Sequence, residues 1–351
     1  TAYDQLAARL PDDAAKLLAS LMSRLRRRSA GLVIQVDRAA AAQPCEAILS
    51  RAGRPDLTAS ATPPLHARRR LAGRRATGRA PELPARPDVC VSVGSPIGEA
   101  MARRGWRRAA DRGTTSITVS ALKGASDGAR IRAADRGVTF ITVTASPSDG
   151  TSDAGIIRDA PVLHLLGNVV ETNAGLRFRP LDGRESTRNI AVTSTTGPRQ
   201  PTAILENAVE RGVLLLSAAD IDRRFGGPVL CILQAEPVRR FSERGASDRV
   251  QANLARAFAA ELHLLGVPIV LVIPPVTPEL GAELLDRIDR ALMKPTRAAA
   301  NVERCVGDLQ RRILRGADPK LSTSWEHAFD VTLYMGASQD GDASDPLVSL
   351  R

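Results

Sequence analysis

PVLHLLGNVVE, Pro161 to Glu171, is the stretch on which the fold of this chain turns. Its apolar run shows no alternation, so it reads as a strand covered on both faces. It then meets Gly167 and Asn168. In open parallel sheets the carboxyl ends of the strands carry the functional groups. Asn168 is therefore a site residue, a substitute for one, or a turn.

Working outward, the same kind of strand recurs with helices between. DVCVSVG precedes the helix-like PIGEAMARRGWRRAADRG, TTSITVSAL precedes SDGARIRAADRG, and VTFITVTAS precedes TSDAGIIRD. Downstream the order is the strand GPVLCILQAEP, the helix DRVQANLARAFAAELHLLG, the strand VPIVLVIPP, the helices PELGAELLDRIDRALMK and AAANVERCVGDLQRRILRG, and the aromatic-rich strand WEHAFDVTLYMG. Continuous apolar strands alternating with helices predict parallel β-α-β units, an α/β fold with a mostly parallel central sheet. RAADRGTTSITVSA (108–121) and RAADRGVTFITVTA (132–145) are near-copies one helix-plus-strand unit apart. Two copies are too few for a solenoid and reflect similar packing demands.

Upstream, residues 1–29 carry a leucine stripe at helical spacing. Residues 30–87 begin with the strand GLVIQVD and a helix after Pro44, then become an Arg- and Pro-rich connection of weak periodicity. Residues 88–337 form the main domain, and 338–351 read as an acidic flexible tail. The polar excursion after Glu171 suggests a hairpin or flap, and SAADIDRRF a helix.

Of the 351 residues, 43% are hydrophobic and 25% charged, ordinary for a globular chain, while 3% aromatics leave the interior to aliphatic residues. The four cysteines lack CxxC spacing, which argues against a disulfide framework or zinc site and for a reducing compartment. The charged start is no signal peptide, and the apolar run 262–276 is too short and proline-broken to span a bilayer. A cytoplasmic protein without a membrane partner is expected. The net charge of +11 invites a nucleic-acid reading. Only four of the 49 basic residues are lysine, however, which fits the coding bias of a GC-rich bacterial genome. The Arg68–Arg79 cluster also lacks interleaved aromatics for base stacking. It is read as a solvated basic linker, with nucleic-acid binding the lesser alternative.

Several stretches together resemble the CHAT family, the bacterial caspase-like domains of the caspase, separase and gingipain clan. VLHLLGNV is similar to the family's VLHxxGHG strand, with Asn168 where the catalytic histidine stands. CILQAE (231–236) is similar to the nucleophile strand VVLNAC, with Glu236 where the cysteine stands. The helix, the strand VPIVLVIPP and the Pro-containing loop also resemble the family, as does the closing WEHAFDVTLYMG. LVIQVDRAAAAQPCEAIL is similar to its entry segment, with Cys45 where tryptophan usually precedes the glutamate. The likeness covers roughly residues 30–336. It implies a three-layer α/β/α caspase-like sandwich acting as a pseudo-protease: a regulatory or protein-binding module, in a bacterial conflict or signalling assembly, that holds a protein partner or peptide segment.

A cysteine protease needs a thiolate, a base to form it and backbone donors for the oxyanion. Asparagine takes no proton near neutrality, and a carboxylate is a poor nucleophile toward peptides. Asn168 and Glu236 are thus expected to be inert, with a hydrogen-bonded pair between them and an arginine neighbour to Glu236 as open possibilities. The competing arrangement is an active peptidase using His164 and Cys231, both mid-strand and flanked by aliphatic residues. His263 reads as packing or capping, and Ser95, in a turn without the second glycine of a nucleophile elbow, as a helix cap. His66 and His327 fall in the basic linker and the last strand. No HxxxH spacing and no phosphate-loop signature occur, so no metal and no cofactor are expected.

Overall fold

A computed structural model of the protein describes residues 8, 11–28, 32–52, 67–72, 89–92, 96–107, 116–119, 141–143, 161–180, 215–225, 228–238, 246–292, 298–316, 328–336 and 347–350. Helix α1 (Asp12–Arg28) starts with two aspartates, where carboxylates favour the helix dipole, and turns Leu18 and Leu21 to the core. Strand β1 (Leu32–Val36) leads through a 3-10 turn at Ala40–Ala42 to α2 (Cys45–Ala52), which begins just after Pro44. There follow β2 (Ala67–Leu71), β3 (Val89–Ser92), α3 (Pro96–Gly105), β4 (Ser116–Val119) and β5 (Ile141–Val143). Next come the long β6 (Val162–Thr172) and β7 (Gly175–Pro180). Helix α4 (Ala218–Phe225) opens on a reciprocal cap between Ser217 and Asp220. The chain ends with β8 (Leu230–Gln234), α5 (Ala246–Leu265), β9 (Ile269–Ile273), α6 (Pro278–Leu292), α7 (Ala298–Gly316), β10 (Thr332–Met335) and β11 (Leu347–Leu350).

These strands form one sheet in the order β11-β1-β2-β10-β9-β8-β6-β3-β4-β5, with β7 paired to the outer half of β6. Strands β3, β4, β5, β6, β8 and β9 are mutually parallel. Strand β10 is antiparallel to β9 and parallel to β2, so it joins that block to β2, β1 and β11. The fold is α/β with a mostly parallel sheet.

Side chains alternate strictly across β6 and β8, as strand geometry requires. Leu163, Leu165, Cys231 and Leu233 pack with Phe258 and Leu262 of α5. Val162, Leu166, Leu230 and Ile232 pack with Met101 and Trp106, with Leu284 and Ile288 of α6, and with Val306 of α7. Glycines allow α3 and α6 to approach closely. A Cβ at Gly105 would overlap Leu285, and one at Gly281 would overlap the Met101 sulfur.

The alternation of strands and helices, and the parallel pairing, match what the sequence predicts. Three local expectations do not. Ala67–Leu71, read as part of a basic linker, is a strand between β1 and β10, and its arginines 68 and 69 are buried. The end of the supposed loose tail, Leu347–Leu350, pairs in parallel with β1. The strand in WEHAFDVTLYMG is confined to Thr332–Met335, since Ala328 and Phe329 are helical. The rest of the basic linker, the helices expected at 126–137 and 151–159, and the residues between 181 and 214 lie outside the described residues.

Buried arginines explain how a basic segment enters the sheet. Arg69 donates to Glu46 (Nε to Oε1, 2.7 Å), to the carbonyls of Ala41 and Gln43 (2.7 Å each), and to the Tyr334 hydroxyl (3.2 Å). Its guanidinium also lies 5.6 Å from the centre of the Tyr334 ring. Arg256 donates to Asp330 (3.0 Å), Ala42 carbonyl (3.1 Å) and Asn253. A buried guanidinium is tolerable when its donors are met and a carboxylate balances it. Glu46, the glutamate of the entry segment, supplies that carboxylate.

Candidate functional site

Strands β6 and β8 lie side by side and parallel, with Leu166 opposite Gln234. Two residues further on, the same ladder brings Asn168 opposite Glu236. The Asn168 amide donates to Glu236 Oε2 (3.3 Å), and the Glu236 backbone N–H points at Asn168 Oδ1 (3.5 Å). Asn168 is thus neither a strand end nor a turn. Strand β6 runs through it to Thr172 and folds back into β7, where Arg179 stands opposite Asn168. The turn relies on Gly175 at φ 96° and on the Thr172 hydroxyl, which donates to the Gly175 carbonyl (2.8 Å). Gly167 makes the close return possible, since a Cβ there would overlap the Arg179 carbonyl and the Phe178 ring.

Burial pushes the Glu236 carboxyl above its ordinary range; the Asn168 hydrogen bond and the Arg179 charge draw it down, and Asp248 pushes it up. The pair presents an amide from within β6 and a carboxyl just past the end of β8, with the Arg179 guanidinium nearby. It can hold polar groups of a ligand. It holds neither a thiol nor an imidazole.

The His164–Cys231 alternative fails on geometry. In the ladder Leu163 stands beside Cys231 and His164 beside Ile232, so the imidazole and the sulfur project from opposite faces of the sheet. Both are fully buried. The His164 ring is occupied from both sides: Trp106 Nε1–H donates to Nδ1 (3.1 Å), and Nε2 lies 2.9 Å from Gln234 Oε1. An indole only donates, so Nδ1 must accept, and the proton sits on Nε2. Gln234 in turn donates to the Met101 sulfur (3.5 Å). Burial lowers the imidazole to about 4, against a smaller upward effect of the Gln234 hydrogen bond. His164 is a neutral core histidine.

His263 closes the last turn of α5, its Nδ1 2.8 Å from the Val267 carbonyl just beyond Gly266 at φ 126°. His66, Ser95 and His327 lie outside the described residues. Among the described residues no cluster of histidine, cysteine and acidic side chains suits a metal ion, and no helix is long and apolar enough to cross a membrane. Sequence reasoning missed Trp106, Gln234, Arg69 and Arg179. Gln234 had a readable signal: it is the one polar residue of LCILQ, and its spacing puts it on the His164 face. Comparison with protein-family models, curated proteins and solved structures finds no match to the chain.

Proposed function

We propose that this protein is a caspase-like pseudo-protease of CHAT type, a three-layer α/β/α module that binds a protein segment at the Asn168–Glu236 cleft without cleaving it. The observation that carries this reading is the hydrogen-bonded amide–carboxyl pair of Asn168, within β6, and Glu236, just past β8, the two positions where the resemblance expects base and nucleophile. Extended peptides are held by backbone hydrogen bonds plus a few side-chain anchors, and a half-buried polar pair offers such anchors. The partner belongs to a bacterial conflict or signalling assembly, as the resemblance implies.

The test is fluorescence polarisation of a labelled random peptide pool, with the peptides recovered afterwards for mass analysis. Intact recovered peptides, with binding weakened about tenfold by Glu236→Lys in a folded variant, are the expected result. Cleaved peptides, or equal binding by the variant, overturn the reading.

A further inference from the structure

The buried chain Trp106–His164–Gln234–Met101 ties α3 to the sheet directly below the candidate site. Met101 comes from the middle of α3, Trp106 directly follows its last residue, His164 comes from β6 and Gln234 from β8. His164 shares a strand and a face with Asn168, and Glu236 follows two residues after Gln234, just past the end of β8. The chain has one polarity: indole N–H to Nδ1, Nε2–H to Oε1, and amide N–H to sulfur. The first link works only while Nδ1 is unprotonated, whereas Nε2–H donates to Gln234 in either state.

We propose that this chain is an acid-released latch: a proton taken up from solvent at His164 Nδ1 removes the lone pair that accepts the indole N–H, and α3 loosens from β6 and β8. An N–H on each side of the former bond then faces its neighbour, and a cation is left without compensation among aliphatic side chains. Charged groups on the surrounding elements offer no relief. Arg103 and Arg104 on α3 and Arg107 just past it are exposed, as is Glu171 near the outer end of β6. Asp289 is buried on α6, while Glu283 and Asp286 there pair with arginines. Glu236, just past β8, bonds to Asn168. Burial and the Gln234 contact are what set the imidazole's proton affinity.

The opened form, with an ordinary histidine, binds protons that the closed form refuses, so acid favours opening. With the closed imidazole at about 4 and the open one at an ordinary histidine's 6.5, opening rises roughly twentyfold between about pH 7 and pH 5. Hydrogen exchange of the full chain, followed by mass spectrometry and corrected for intrinsic rates, reads this directly. Peptides from 96–107 lose about twentyfold protection at the lower pH, peptides from 246–265 hold theirs, and His164→Gln, which can accept and donate but not titrate, abolishes the difference. The latch is overturned if α3 keeps its protection at the lower pH, if both helices lose it together, or if His164→Gln responds as the wild type does. Should that variant not fold, the contrast between the two helices in the wild type decides.

Discussion

Arg69 shows how one side chain redirects a segment. Three consecutive arginines read as solvated linker because charge is rarely buried unless paired. The pairing lies far off in sequence, in Glu46 and in the carbonyls of Ala41 and Gln43, and no local pattern announces it. Removing one member of such a pair strands the other in the core. Arg69→Met is expected to lower stability by about 3–5 kcal/mol in denaturant unfolding, and a loss under 1 kcal/mol would mean that the network is dispensable. Glu236 offers a second test. Its folded carboxyl is raised, so the folded protein binds the proton more readily than the unfolded chain, and this residue favours folding as pH falls through the folded value toward 4.5. Glu236→Gln is expected to remove that contribution and to leave the protein at least as stable at neutral pH. The readout is the pH dependence of the unfolding free energy for the two proteins.

At the scale of elements, regular strands and helices were legible because burial on both sheet faces leaves an unbroken apolar signature. The helices after Pro278 and Ala298 begin where the sequence places them. Strand β6 was legible as far as Asn168, and its continuation to Thr172 was not, because Gly167 and Asn168 look like a stop. The glycine is there for the close return of β7. Gly167→Ala is expected to push the hairpin off the strand, lowering stability by roughly 1–3 kcal/mol and detaching Arg179 from the site. Thermal unfolding measures the first effect. The second appears as weaker peptide binding, and an alanine variant with unchanged melting and binding would show that the hairpin has room to spare. The site was legible as two positions but not as chemistry. The hydrogen bonds of Asn168 depend on register between strands far apart in sequence, and the partners of His164 depend on where α3 lands.

For the molecule as a whole, one sheet draws strands from 30–87, 88–337 and 338–351, segments that the sequence suggests separating. Strands β1 and β2 stand beyond β10, which itself pairs with β9, and Leu347–Leu350 completes that edge. Residues 30–87 are therefore structural partners of 88–337. A fragment starting at residue 88 is expected to expose the edge of β10 and leave Tyr334 without Arg69. It should fail to unfold cooperatively by circular dichroism, whereas the full chain should. The separation of His164 from Cys231 is also a property of the whole sheet, since its alternation puts one on each face. The most direct test is exposure of the folded protein to a thiol-directed peptide electrophile, with sites read by mass spectrometry. No labelling at Cys231 is expected; labelling there that vanishes in His164→Gln would contradict an inert cleft.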